Sequence, residues 1–302
     1  MLQQVDTFVG PEVNWFALSP MLTLLGGTLV LMLAGALTPK WPKGLYAFAT
    51  ATIAGTAAVL AMVQWDDITD EGTRTLVAGV IAYDTLSMFM TITICVGVIL
   101  VAMISDEYLR DTPNDGPEIY ALYLVAAIGG IVMASANDLI VLFLGLETVS
   151  LALYVLASSN RRSSESAESG IKYFVLGGFA SAFFLYGIAL VYGATGTTNI
   201  SEMVAALQNG VDPFGNESLA LAGIALLIVG LGFKVAAVPF HVWAPDVYQG
   251  APTPVTAFMA SVGKAAAFVA MLRVLVIALP FYRDDWRPII WGLALVTLLV
   301  GS

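Results

Sequence analysis

Several ionisable residues lie within or beside long apolar runs of this 302-residue sequence. They are Asp84, Glu147, Lys172, Lys234, His241, Lys264 and Arg273. A charged side chain at the centre of a membrane helix costs about 2.5–3.5 kcal/mol on insertion scales, so it needs a partner or internal water. Carboxylates, amines and an imidazole in such surroundings are suited to accepting and releasing protons. These residue types therefore indicate proton movement through a membrane protein.

Glu147 is the strongest candidate for a proton-accepting carboxylate, because it lies close to the middle of an apolar run. Ser150 and Tyr154 follow at spacings of three and seven residues, which places them on the same helical face. Lys234 and Lys264 are the candidate partners across the bundle. The alternative for all three charged residues is a structural role, as a hydrogen-bonded carboxylate and its counter-ions.

The other ionisable residues leave more than one interpretation open. His241, the sole histidine, is either a proton relay or a packed polar residue. Lys172 is either an interface anchor or part of the polar path. Asp84 is expected to be structural. Arg273, nine residues after Lys264 and on the opposite helical face, is expected to extend toward the membrane surface with its charge in water.

The segment from Gly230 to Lys264 combines charge with prolines, of which Pro239 follows Lys234 closely. A proline inside a helix removes a backbone donor and clashes with the preceding turn. Irregular backbone at membrane depth is tolerated only where it is buried in protein or lines a wet cavity. The segment therefore predicts a broken membrane helix with ionisable groups at the break.

The elements that would position these groups are membrane helices, since the chain is 59% hydrophobic and only 11% charged. The apolar runs predict eight helices and the beginning of another. They fall near 16–38, 45–64, 76–104, 119–136, 138–159, 171–194, 217–243 and 253–280, with the last from about 288. Because basic residues favour the inner side, the N-terminus is predicted outside. Inner-side basic residues are then Lys40, Lys43, Arg110, Arg161 and Arg162, and outer-side ones Arg74, Arg283 and Arg287.

Composition also argues against several other functions. The net charge of −10 argues against a nucleic-acid partner. Cys95 is the only cysteine and His241 the only histidine, so neither an iron–sulfur cluster nor a usual zinc site is expected. No cofactor-binding and no metal-binding residues are predicted for this chain.

Three segments resemble the antiporter-like membrane subunits of respiratory complex I, and subunit N most closely. They are VPFHVWAPDVYQGAPTPVTAFMASVGKAAAFVAMLRV, LGLETVSLALYVLA and ESGIKYFVLGGFASAFFLYG. The resemblance covers essentially the whole chain and implies a fold of two inverted five-helix repeats, each with one broken helix. We expect helices one to three in residues 1–118, the first repeat in 119–280 and the start of helix nine in 281–302. The sequence ends at Ser302 within that helix, so we expect the second repeat to be missing.

The resemblance implies a proton-translocating subunit of NADH:quinone oxidoreductase in a bacterial plasma membrane. It assigns the paired carboxylate and lysine to Glu147 and Lys234, the central lysine to Lys264, and further relay positions to His241 and Lys172. It places NADH, FMN, iron–sulfur clusters and quinone in partner subunits, and makes subunits of types M and K the expected neighbours within the lipid bilayer. The alternatives are a cation/proton antiporter subunit outside a redox complex and a structural membrane module.

Overall fold

The computed structural model describes residues 13–38, 41–110, 116–208 and 217–301. Lys40 and Ser302, which were named above, lie outside these ranges. The helices and strands are, in chain order, α1 Ser19–Leu37, α2 Leu45–Glu71, β1 Arg74–Leu76, β2 Ile81–Tyr83, α3 Thr85–Leu109, α4 Pro117–Ser135, α5 Leu139–Ala157, α6 Ser164–Thr195, α7 Ile200–Gln208, α8 Glu217–Val235, α9 Ala244–Gly250, α10 Thr253–Phe258, α11 Lys264–Leu272 and α12 Arg283–Gly301.

Eight of the described helices are long and apolar enough to cross a membrane. The eighth is one continuous helix over Thr253–Ala278, which joins α10 and α11 through a π-helical turn at Met259–Gly263 and ends in a second one at Arg273–Ala278. The predicted helical membrane fold is confirmed, and the chain is a multi-pass membrane protein.

The expected start of the third helix near residue 76 is wrong, because a β-hairpin occupies that segment. Strand β1 pairs antiparallel with β2, and Arg74 lies opposite Tyr83. Val77, Ala78 and Gly79 all have positive φ between the strands, which a helix does not allow. Helix α3 begins only at Thr85, capped by the side chain of Asp84, which accepts a hydrogen bond from the Ser87 amide at 2.8 Å.

Asparagine side chains hold the hairpin against the ends of other helices. The side-chain amides of Asn137 and Asn199 both donate to the Gly79 carbonyl, at 2.7 and 2.9 Å. The Ile200 amide donates to the Asn137 carbonyl at 2.8 Å. The hairpin, the α4–α5 connection and the start of α7 are thus fixed together at one end of the bundle, the predicted outer end.

Helix α6 begins at Ser164, earlier than the predicted residue 171, because Ser163 caps it by accepting from the Ser166 amide. Lys172 therefore lies in the third turn of α6 and does not begin it. The Ser166 hydroxyl donates to the Ala157 carbonyl at 2.7 Å and ties the start of α6 to the end of α5. This contact lies at the predicted inner end.

Close helix packing fixes the central part of α5. A Cβ atom placed on Gly145 would lie 2.9 Å from the Gly129 carbonyl oxygen of α4, so only glycine permits this approach. Two and five residues later, α5 carries Glu147 and Ser150, which contact Ser181 of α6 and Lys234 of α8. Glycine packing thus sets the position from which the candidate carboxylate faces the bundle.

Candidate functional site

Lys234 is the buried centre of the candidate site, with 9% of its surface exposed near the end of α8. Its Nζ donates to Ser150 Oγ of α5 at 2.5 Å. The same Nζ lies 5.7 Å from the ring centroids of both Tyr154 and Tyr173. A hydroxyl and aromatic faces therefore replace much of the water that would surround an exposed ammonium group.

Glu147 is half-buried in the middle of α5, and its carboxylate accepts a hydrogen bond from the Ser181 hydroxyl of α6. Within the described residues it forms no direct ion pair with Lys234, although it is near enough to act on it electrostatically. Ser150 and Tyr154, the predicted polar face of Glu147, both contact Lys234. The carboxylate and the lysine thus share one polar cluster, and each has a serine partner.

The helix break gives Lys234 a second role through its backbone. Helix α8 ends in a Schellman-type turn, in which Ala237 N donates to Gly232 O at 2.9 Å and Ala236 has φ of 57°. The amide of Val238, four residues beyond Lys234, donates instead to Thr297 Oγ1 of α12 at 3.0 Å. Because no continuing helix uses the Lys234 carbonyl, this oxygen is available to accept a bond from another side chain.

Lys264 uses that carbonyl. Its half-buried Nζ donates to Lys234 O at 3.2 Å and lies 4.9 Å from the ring centroid of Trp243. Trp243 is fixed in turn by its indole N–H, which donates to the Phe233 carbonyl at 3.0 Å. The break therefore joins the two lysine-bearing helices, through one backbone oxygen and one aromatic ring.

His241 lies in the broken segment between Lys234 and α9 and is half-buried. Its Nδ1 atom is buried, and within the described part of the chain it has no hydrogen-bond partner. Direct bonds from this imidazole to Lys234 or Lys264 are likewise absent among those residues. The ring shares the segment with the site but is not joined to either amine.

Lys172 lies apart from the central cluster, close to the predicted inner surface. Its Nζ is paired with Asp246 of α9 at 2.5 Å and with Glu168 at 2.6 Å, and its side chain is 41% exposed. These residues line a cavity of about 160 Å³ together with Glu165 and Gln249. The next residue, Tyr173, stacks on Trp243 at 4.6 Å between ring centroids, so α6 links this pocket to the ring beside Lys264.

The expectation that Arg273 extends to the membrane surface is wrong. Its residue is only 3% exposed, and its Nη2 donates to both oxygens of Asp84, at 2.8 and 2.9 Å. Its Nε donates to the Ala134 carbonyl at the end of α4. Because Asp84, at the end of the hairpin segment, pairs with the guanidinium inside the protein, the Arg273 side chain does not extend to water. Asp84 has the expected structural role, as helix cap and ion-pair partner.

Three contributors to the site were not singled out as such from the sequence: Ser181, Trp243 and Asp246. A serine within an otherwise apolar helix was the available signal for Ser181, and an acid beside a proline break was the signal for Asp246. Nothing in the pattern distinguished Trp243 from other aromatic residues. All three act by contacts between helices that are distant in sequence, which periodicity does not reveal.

The arrangement joins one carboxylate, two hydroxyls and two amines, which are groups that can hold and transfer protons. From Glu147 and Ser181, it runs through Ser150 and Lys234 to Lys264, across α5, α6, α8 and α11. Within the described residues, no three His, Cys, Asp or Glu side chains are grouped as metal ligands. Its titratable members are one carboxylate and two amines, and the charge on each influences the protonation of the others.

Comparison with known proteins shows which proteins the whole chain is similar to. Residues 136–302 match the family model described as NADH:quinone oxidoreductase/Mrp antiporter, TM. The chain is 42% identical over 282 residues to NADH-quinone oxidoreductase subunit N of Trichlorobacter lovleyi, covering 93% of this chain and 56% of that protein. It is 39% identical over 299 residues to subunit N 2 of Koribacter versatilis, covering 98% and 59%.

A solved structure gives the same result for the fold. A chain of respiratory complex I from Thermus thermophilus superposes with a TM-score of 0.69 at 36% identity, covering 84% of this chain and 52% of that one. The chain thus spans between 52% and 59% of the lengths of these three proteins. The predicted resemblance to subunit N is confirmed, and the chain belongs to the NADH:quinone oxidoreductase/Mrp antiporter family of membrane proteins.

Proposed function

We propose that this chain is part of a proton-translocating membrane subunit of an NADH:quinone oxidoreductase. The observation that carries the proposal is the buried Lys234. Its side chain reaches Ser150 beside Glu147, while its backbone carbonyl holds Lys264 at 3.2 Å. A buried amine between a carboxylate and a second amine, beside a break in the helix, is the arrangement that stepwise proton transfer requires.

In the proposed mechanism, the charge states of Glu147 and Lys234 are coupled. A proton arriving at the carboxylate removes its negative charge and with it the attraction on the Lys234 ammonium group. That group then releases its proton toward Lys264, which accepts it in its neutral amine form. At about 4 Å and an effective dielectric constant near 20, two unit charges interact by about 4 kcal/mol. The absence of a direct ion pair among the described residues makes the resting interaction weaker, so closing this gap would strengthen the coupling.

His241 and Lys172 are assigned supporting roles in the proposal. The unpartnered Nδ1 of His241 can take up or pass on a proton through water admitted by the broken segment. Lys172, paired with Asp246, links α6 to α9 at the predicted inner surface and would bring protons toward the path. Neither residue needs a direct bond to Lys234 if water bridges the distance.

The assembly context follows from the relatives. We propose that the subunit lies in the membrane arm beside subunits of types M and K, and that NADH, FMN, iron–sulfur clusters and quinone are bound by other subunits. We further propose that residues 119–280 form the first of two inverted repeats, with 1–118 preceding it and 281–302 beginning helix nine. Energy from quinone reduction would then reach Glu147 and Lys234 through the neighbouring subunits.

The test replaces Glu147→Gln, Lys234→Ala and Ser150→Ala in the full-length subunit of the intact assembly. We expect normal assembly with reduced proton uptake per NADH oxidised, most strongly for Lys234→Ala. Glu202→Gln serves as the control, because this acid is exposed and bonds only locally to Thr197. Unchanged proton pumping in both Glu147→Gln and Lys234→Ala, with normal assembly, would refute the proposal and leave a structural role.

A cation/proton antiporter subunit is the second candidate, because the matching family model includes Mrp antiporters. Purification decides between the two candidates. Association with an assembly that oxidises NADH supports the first function. Sodium-dependent proton exchange in vesicles, without any NADH-oxidising partner, supports the second.

A further inference from the structure

A groove at the predicted inner surface has no role in the proposed proton path, although Tyr154, whose ring lies near Lys234, lines part of it. Its polar part is a cavity of about 510 Å³ between the start of α4 and the α5–α6 connection, lined by residues that include Glu118, Leu122, Arg161 and Arg162. Its apolar part is a furrow of about 240 Å³ between α5 and α6, lined by Ile171 and Phe174 among others. Val155 and Ser158 line both parts, so the two form one continuous depression, which we call the inner groove.

The polar part carries an excess of positive charge. Arg161 and Arg162 are consecutive and exposed, and neither forms an ion pair with another described residue. Among the described residues that line this cavity, Glu118 is the only acidic one. Two guanidinium groups against one carboxylate leave a net positive site, and guanidinium groups bind phosphate oxygens through paired hydrogen bonds.

The apolar part extends from these arginines along the membrane-spanning surface. Val155, Ile171 and Phe174 are 55%, 66% and 58% exposed. A Cβ atom on Gly170 would lie 2.5 Å from Ser158 Cβ, so glycine lets α5 and α6 meet closely and form the floor of the furrow. The groove therefore has a cationic end at the membrane surface and an apolar end at the depth of acyl chains.

We propose that the inner groove binds an anionic phospholipid. Arg161 and Arg162 hold its phosphate, and an acyl chain lies along Val155, Ile171 and Phe174. Basic pockets between membrane helices on the cytoplasmic side suit anionic headgroups, and this one continues directly into an apolar furrow. A free phosphate ion would use only the polar part, and a soluble partner would leave the furrow uncovered. Charge and shape together thus match a lipid that has both parts.

The experiment uses the full-length subunit in its intact assembly, in nanodiscs that contain a photoreactive phosphatidylglycerol or the matching phosphatidylcholine. After illumination, mass spectrometry locates the labelled peptides. We expect phosphatidylglycerol to label residues 151–174 more strongly than phosphatidylcholine. The Arg161→Gln/Arg162→Gln double variant should weaken phosphatidylglycerol binding about 30-fold, since each arginine is expected to contribute a factor of about 5.

Two further variants test whether the positive charges of Arg161 and Arg162 themselves account for the lipid labelling. The Arg161→Lys/Arg162→Lys variant retains the charges and should keep most of the labelling. The Arg283→Gln/Arg287→Gln variant removes two exposed arginines from the opposite end and should change nothing. The proposal does not depend on proton translocation, because its readout is lipid labelling.

Four results would overturn the proposal. The first is equal labelling by the two lipids, and the second is unchanged labelling in Arg161→Gln/Arg162→Gln. Displacement of the label by excess inorganic phosphate would show that the arginines bind a free anion. Crosslinking of Val155 to a neighbouring subunit in place of lipid would show that the inner groove is a protein interface.

Discussion

The ion pair between Arg273 and Asp84 should stabilise the fold by joining three distant elements. Asp84 caps α3, Arg273 begins the π-helical end of the Lys264 helix, and Ala134 supplies a carbonyl at the end of α4. Asp84→Asn removes only the charge, because asparagine caps helices as well as aspartate does. Arg273→Met removes the guanidinium but keeps a long apolar side chain. The two changes together therefore test the pair without removing the cap.

The expected loss of stability follows from how deeply the remaining charge is buried. Removing one partner of a buried ion pair costs about 3–5 kcal/mol, because the remaining charge is left without compensation. The Asp84 side chain is 22% exposed, which favours the lower end of that range for Arg273→Met, plus about 1 kcal/mol for the lost bond to the Ala134 carbonyl. We expect about 4 kcal/mol for Arg273→Met and about 5 kcal/mol for Asp84→Asn, because the guanidinium that the latter leaves uncompensated is only 3% exposed. The double variant should cost about 4 kcal/mol, well below the sum.

The assay is denaturant-induced unfolding of the purified full-length subunit in lipid–detergent micelles, with all four members of the cycle compared. Glu71→Gln provides the control, since its pair with Arg74 is exposed and should contribute at most about 1 kcal/mol. If the two substitutions add within about 0.5 kcal/mol, the residues are not coupled and the reasoning fails.

Three further predictions concern single residues. Ala236→Gly should raise the free energy of unfolding by about 1 kcal/mol in the same assay, because Ala236 has a φ of 57° that glycine adopts without strain; an unchanged midpoint would contradict this. Trp243→Phe removes the indole bond to Phe233 and should lower the unfolding free energy by about 1 kcal/mol and reduce proton transfer, with Trp291→Phe, an exposed tryptophan, as the control. Burial, helped by the bond to Asp67, raises the pKa of Tyr83 above its ordinary value near 10. The stabilising contribution of Tyr83 is therefore present below about pH 10 and is lost as the pH rises through the higher pKa of the folded state. Ultraviolet titration of tyrosinate in the protein, compared with Tyr83→Phe, measures this.

The sequence predicted those features that depend on local composition. Apolar runs are long enough to define the eight membrane helices, and Pro239 beside charge located the break between α8 and α9. The spacing of Glu147, Ser150 and Tyr154 predicted a polar helical face turned into the bundle, and Ser150 and Tyr154 of that face contact Lys234. These predictions succeed because helical periodicity and proline chemistry act within a few residues.

Features that depend on distant contacts could not be predicted in this way. The hairpin before α3 is apolar enough to resemble a helix start, and positive φ at Val77 and Ala78 has no sequence signal. Periodicity placed Arg273 opposite Lys264 but could not show that Asp84, 189 residues earlier, lies there. The direction of a side chain follows from local geometry, whereas its partner follows from the packing of the whole bundle.

The break in α8 has a consequence that an unbroken helix would not allow. In a continuous helix, the Lys234 carbonyl would accept the Val238 amide and be unavailable to Lys264. Here Thr297 of α12 takes that amide, and the freed carbonyl accepts a hydrogen bond from the Lys264 side chain. The contact between the two lysine-bearing helices therefore depends on the break, because only an interrupted helix leaves this backbone oxygen free to bind a side chain.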